Sequence, residues 1–238
     1  YYGSVEQFCR DEELVEFLQD PIRHAGQITK LNQKLYLILA GRADLLRLYI
    51  TDKEGGVLLS SASIPRELQG ADPNWGVFRT MRFADHPVFY ADSMTMDYRG
   101  KEAGITVGSR VMEDGDLWGY VLLNIPQSAI EVIIKSTASD LSIKHLVMDE
   151  HGYLIVNQVF DSKNVFLPWD FRGLANGAAG QVSEGQIDGD QVLLTFSDLA
   201  DTGMRVAGVA SVSLAHRGNT SLATISFLLT AVWAAFCF

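Results

Sequence analysis

The chain has 238 residues, 47% of them hydrophobic and 20% charged, and its 29 acidic against 19 basic side chains give a net charge of −10. That length buries one large core or two modest ones, and six prolines with 21 glycines exclude a collagen-like or low-complexity chain. The negative charge, offset by no local Lys/Arg run, repels phosphates and excludes nucleic acid as a partner. Cys9 and Cys237 sit at opposite ends of the chain and point neither to a disulfide nor to a redox or metal cluster.

From about Val5 to Leu48 apolar side chains recur at helical spacing: Leu14, Leu18 and Ile22, then Ile28, Leu31, Leu35, Ile38 and Leu39, then Leu45 and Leu46. Asp20-Pro21 reads as an N-cap followed by proline at the first helical position, which predicts a helix, a break and a second long helix, together a stalk over residues 1–48. So long an amphipathic stalk has more apolar surface than one small module covers. Two copies of the chain are therefore expected to pack as a homodimer along residues 5–46.

Next comes "LYITDKEGGVLLSS", residues 48–61, two short strands around a tight turn whose glycines permit positive φ. The pattern returns as "HLVMDEHGYLIVNQ", residues 145–158. Laying Asp52 on Asp149 puts Gly55 on Gly152 and matches the apolar flanks, so the hairpin is an internal repeat. The repeat continues with "DYRGKEAGITVGSRVM" and "DLWGYVLLNI" around Glu113 to Asp116 in the first copy. In the second, "IDGDQVLLTFSDL" and "MRVAGVASVS" flank Ala200 to Gly203. Each copy reads strand, strand, an insert, then three strands, and residues 126–139 form a helix linking a module at 49–125 to one at 140–217. The fold class expected is α+β, a helix pair and two antiparallel-sheet modules in tandem.

The first insert, "ADPNWGVFRTMRFADHPVFYADSMTMDY", gathers aromatics and charges of the kind that line small-molecule pockets. Trp75, Arg79, Arg82, Tyr90, Asp92 and Tyr98 are its candidate ligand contacts. Each has a plainer reading: Trp75 fills a core along with Phe78, Tyr90 and Asp92 lie on a strand edge, and Arg79 and Arg82 pair with Asp85.

The last segment, residues 218–238, carries no charge after Arg217 and, beyond Asn219, only Thr and Ser as polar side chains. It is expected to be a truncated transmembrane helix, the alternative being a buried C-terminal helix. No G-x-S-x-G, H-E-x-x-H, Walker A or G-x-G-x-x-G motif is present, and the five histidines are scattered. No catalytic residue, metal ligand or cofactor is expected, and any catalysis would belong to an output domain beyond this chain.

A helix pair, two modules each with a D-x-x-G hairpin, a closing "WGYVLLNI" strand and an apolar segment after the second module resemble the double Cache extracytoplasmic sensor domains of bacterial receptors. The resemblance runs over residues 5–238. It implies PAS-like modules, a membrane-distal one that binds the ligand, a membrane-proximal one, and signalling across the membrane to a histidine kinase, a chemoreceptor or a cyclic-dinucleotide enzyme. The amino-acid-binding members carry an Arg-x-Trp-Tyr run, a Tyr-x-Asp and an Asp in the closing strand. Trp75 and Tyr90-Ala-Asp92 match two of these, whereas Asp72 or Pro73 stands at the arginine, Gly76 at the tyrosine and Asn124 at the closing aspartate. A carboxylate or polar metabolite is thus the expected ligand, a plain α-amino acid less so. The competing expectation is a ligand-free module that dimerises or docks a separate binding protein.

Overall fold

The structure is a computed structural model that describes residues 2–39, 46–69, 76–96, 100–137, 143–160, 165–168, 171, 179–199 and 202–212. The chain divides into two units, Tyr1–Ala129 and Ile130–Phe238.

Each unit is built on a five-stranded antiparallel sheet. In the first, β1 (Arg47–Asp52), β2 (Val57–Ser60), β3 (Val88–Met96), β4 (Gly100–Glu113) and β5 (Asp116–Pro126) lie in the order β2-β1-β5-β4-β3. In the second, β6 (Lys144–Asp149), β7 (Leu154–Asn157), β8 (Val182–Ile187), β9 (Asp190–Leu199) and β10 (Met204–Ser211) repeat that order as β7-β6-β10-β9-β8. The repeated hairpin agrees down to its hydrogen bonds. The Asp52 carboxylate accepts from the Gly56 amide at 2.7 Å, and the Asp149 carboxylate from the Tyr153 amide at 2.8 Å. Gly55 and Gly152 close the two turns at φ 88° and 79°, a region in which a side chain is strained. A bulge follows at the same place in each hairpin, between Ile50 and Thr51 and between Val147 and Met148.

The one departure lies in "IDGDQVLLTF", read above as part of a single strand. Asp188 and Gly189 have φ of 53° and 89°, two consecutive left-handed residues that suit a tight hairpin turn, and the segment is cut into the end of β8 and the start of β9.

The sheet of the first unit has helices on both faces, which explains why β1 and the second half of β5 are buried on both sides and read as mostly apolar runs, interrupted by the buried polar Arg47, Thr51 and Asn124. On one face lie α1 (Tyr2–Phe8) and α2 (Glu12–Gln19), in contact with β4 and β5. Asp11 caps α2, accepting from the Glu13 and Leu14 amides at 3.1 and 3.4 Å. It also takes Lys34 of α3 (Ile28–Ile38) at 2.6 Å. Cys9 is buried beside the Ser109 hydroxyl, and that burial pushes its thiol up to about 12.

The long stalk expected over residues 1–48 is thereby corrected in part. Asp20 ends α2 instead of starting a helix. Its carboxylate accepts from the Arg23 amide, forming a single turn, and a short 3₁₀ turn at Ala25–Gln27 precedes α3. The apolar side chains assigned to a partner copy are covered within the chain: Leu14, Leu18, Leu31 and Leu35 are all buried, while Ile22, Tyr36 and Leu37 stay exposed. Among the described residues no helix is long and apolar enough to cross a membrane, and the segment 218–238 lies outside them.

On the other face, α4 (Arg66–Gln69) and α5 (Gly76–Met81) close a core of Tyr49, Leu68, Val77, Phe78, Met81, Val88, Tyr120 and Leu122. Helix α6 (Gln127–Thr137) then continues directly from β5.

Candidate functional site

Residues directly opposite each other on antiparallel strands project from the same face of the sheet. The register of the first unit sets Arg47 opposite Asn124, Asn124 opposite Thr106, and Thr106 opposite Tyr90, one row crossing β1, β5, β4 and β3. The next row, Tyr49, Leu122, Gly108 and Val88, is apolar and lies under α5. A Cβ on Gly108 would strike Val77 and Met81, so its absence is what lets α5 sit so close to the sheet. The polar row is thus the step beyond the part of the face that α5 covers.

Three of its four members are buried: Arg47 at 7% exposure, Asn124 at 3% and Thr106 at 1%. Buried polar groups need partners, and these satisfy one another. Arg47 Nη1 donates to Asn124 Oδ1 at 3.3 Å, and Asn124 Nδ2 donates to Thr106 Oγ1 at 3.2 Å. Arg47 Nη2 donates to Glu102 Oε2 at 2.8 Å. Glu102 is on β4, two register positions beyond Gly104, and its other oxygen accepts from the Ser128 hydroxyl at 2.7 Å and the Ser128 amide at 3.3 Å. Burial works against ionisation of Glu102, but the hydrogen bonds from Ser128 and Arg47 and the guanidinium charge outweigh it and hold the carboxyl below its ordinary range.

Tyr90 and Asp92 sit on β3, the edge strand, with their residues half-buried. Tyr90 packs against the apolar core beneath α5 and has further contacts of its own. The Asp92 carboxylate accepts from the Ser93 amide at 2.6 Å, and it too has a further interaction. Gly76 has a physical reason to be glycine, since a Cβ there would collide with the Tyr90 hydroxyl oxygen and the ring carbon that bears it. Gly76→Ala is therefore expected to push the ring out and destabilise the protein by about 1–3 kcal/mol. A thermal melt measures this, and Tyr90→Ala in the same chain should relieve most of the loss; an unchanged melting temperature in the single variant would contradict the packing.

Of the residues singled out from sequence, Tyr90 and Asn124 are brought into one row, with Asp92 two residues along β3. Arg79 and Arg82 are exposed, on α5 and just after it, and Asp85 pairs with Arg110 at 3.0 Å rather than with either of them. Trp75 and Tyr98 lie outside the described residues. Sequence reasoning missed Arg47, Thr106 and Glu102. The one available signal was Arg47, a charge in the otherwise apolar run "LRLYI".

The second unit has different residues at the matching positions. With the two hairpins superposed, the register-equivalent positions are Lys144 on β6, Val209 on β10, Leu194 on β9 and Ser183 on β8. Val209 and Leu194, the counterparts of Asn124 and Thr106, belong to an apolar core with Leu146, Phe196 and Ala207. At the two central positions of the row one fold thus carries buried polar side chains in its first copy and apolar core residues in its second.

No family model matches the chain, and no curated protein does either. Solved structures do resemble it. The sensor domain of the V. cholerae histidine kinase DctB is 14% identical, with a TM-score of 0.56 over 89% of this chain and 88% of that one. The ligand-binding domain of the Pseudomonas fluorescens chemoreceptor CtaA, solved with L-alanine, is 12% identical, with a TM-score of 0.58 over 90% and 88%. A domain of a sensory box/GGDEF family protein from Vibrio parahaemolyticus is 12% identical, with a TM-score of 0.61 over 85% and 84%. At such identities the likeness establishes the fold, and the fold is the tandem one of these sensor domains, as the double Cache resemblance implies.

Proposed function

We propose that this chain is the extracytoplasmic sensing domain of a bacterial membrane receptor and that its first unit binds a small polar molecule over the row Arg47, Asn124, Thr106 and Tyr90. The observation that carries this reading is the contrast between the units: buried polar side chains are kept in one copy at positions where the other copy has Val209 and Leu194. Burying polar groups is unfavourable compared with an apolar core, so their presence calls for a reason other than stability. The second unit then serves as a spacer toward the membrane, and catalysis is left to a histidine kinase, cyclic-dinucleotide enzyme or chemoreceptor output.

The charge on the row favours a ligand with a carboxylate or a neutral polar group. Arg47 supplies the cation that Asp72 or Pro73 does not. Asn124 hydrogen-bonds an ammonium group without neutralising it, a loss of about 1–3 kcal/mol at a desolvated site, which argues against a plain α-amino acid. A homodimer through residues 5–46 would have to use what the helices leave exposed, chiefly Ile22, Tyr36 and Leu37.

A thermal-shift screen of the full chain against amino acids, organic acids, amines, purines and sugars tests the reading. A ligand at a hundred times its dissociation constant stabilises the folded state by ~2.7 kcal/mol. The expected result is a shift with one class of compound that disappears in Arg47→Met. If no compound shifts the parent, direct sensing is wrong and a docked binding protein takes its place. If the shift survives in Arg47→Met, the site is elsewhere.

A further inference from the structure

We propose that Glu102 is the switch of this site, linking the polar row to the start of helix α6. The inference rests on the row being the ligand site, and it names how occupancy is passed on. Glu102 touches both parts: one carboxylate oxygen holds Arg47 and the other holds the hydroxyl and amide of Ser128, in the first turn of α6. Arg47 itself makes two hydrogen bonds, to Glu102 and Asn124, out of the five its guanidinium donors allow.

The logic is that of a shared partner. While Arg47 faces no other anion, its charge keeps the part-buried Glu102 carboxylate in place, and the carboxylate in turn satisfies an amide that the first turn of a helix leaves without an internal partner. A ligand carboxylate over the row competes for the same guanidinium. As it takes Arg47, Glu102 loses the charge that offsets its desolvation, and its side chain, 17% exposed, turns toward water and releases Ser128. The first turn of α6 then loosens. Because α6 is the covalent continuation of β5 and the boundary between the two units falls within it, between Ala129 and Ile130, a change in its first turn is imposed on the connection that leaves the ligand-binding unit.

Amide hydrogen exchange of the full chain, with no ligand added, tests the link and can fail or succeed whatever the ligand screen gives. Among the described residues Arg47 makes no hydrogen bond or ion pair with α6, yet Arg47→Met is expected to speed exchange at Ser128 and the next two amides about tenfold, as Glu102→Gln does directly, because the first removes the ion pair that holds the Glu102 carboxylate and the second removes the charge from the hydrogen bonds to Ser128. The double variant should be no faster than either single one, since both break the same link. Arg47→Lys, which keeps the charge, should retain most of the protection and guards against a variant that fails to fold. Unchanged exchange at Ser128 in Arg47→Met overturns the proposal, and so does a rise spread equally over β4, β5 and α6, which would report general destabilisation.

Discussion

Phe78→Ala is expected to lower the stability of the first unit by about 3–5 kcal/mol, the usual range for emptying a buried aromatic site. Phe78 is 1% exposed, sits on α5, and meets the Tyr120 ring edge to face with centroids 5.0 Å apart. It is the largest side chain that α5 drives into the core with Tyr49, Leu68 and Leu122. Truncation removes its apolar burial and a ring contact that contributes ~0.5–1.5 kcal/mol beyond area. The cavity resists collapse because the sheet below is pinned by its ladder and α5 is already as close as Gly108 permits. The effect should be local. In urea unfolding with hydrogen exchange read strand by strand, β1, β4 and β5 lose protection while β6, β9 and β10 keep theirs. A loss under about 1.5 kcal/mol would mean that α5 is a loose cover and not part of the core. The same variant should weaken the response to any ligand found by screening, since α5 borders the polar row.

The second large effect is functional. Asn124→Val combined with Thr106→Leu rewrites the row in the pattern of the second unit, where Val209 and Leu194 hold those positions. Removing both partners of a buried hydrogen bond together leaves no orphan between them, and such paired replacements are often nearly neutral. The Arg47 Nη1 donor loses its acceptor but keeps its ion pair through Nη2. Stability should therefore move by about 1 kcal/mol in either direction. Ligand-induced stabilisation, by contrast, should vanish, the loss of two oriented polar groups in a desolvated site amounting to at least ~100-fold in affinity. The comparison of melting temperatures with and without the ligand decides it. A double variant that folds and still binds as the parent does would place the site away from this row.

Much of the fold was legible because its signals are local. The hairpin repeat needed only Asp52 and Asp149 as turn acceptors and Gly55 and Gly152 to reach positive φ, and all four can be read from fourteen-residue stretches. The doubly covered strands β1 and β5 announced themselves by the apolar stretches Leu48 to Ile50 and Tyr120 to Leu123. Where local signals were ambiguous, the reading went astray. Asp20-Pro21 has the composition of a helix start, yet the same carboxylate also closes a single turn, and only the packing of α2 on the sheet decides between them. Asp188-Gly189 was passed over because the polar stretch before it, with Ile187 alone apolar beside the turn, was not read as a strand of its own, although two positive φ angles turn the chain there.

The site divides along the same line. Tyr90 and Asp92 were singled out in an aromatic-rich insert and, with Asn124, by likeness to the Tyr-x-Asp and closing-strand positions of the double Cache pattern, whereas Arg47 and Glu102 were not, being respectively one charge at the mouth of an apolar strand and one among several in a polar one. By itself the sequence determined the two sheet modules, most of their strands and the repeated D-x-x-G turns. The tertiary structure decided which side chains meet. Alternation along a strand says which face a residue takes, but not which strand lies beside it. Arg47, Tyr90, Thr106 and Asn124 become neighbours only because the order β1-β5-β4-β3 and its register align them, and a shift of one residue would send every one of them to the opposite face.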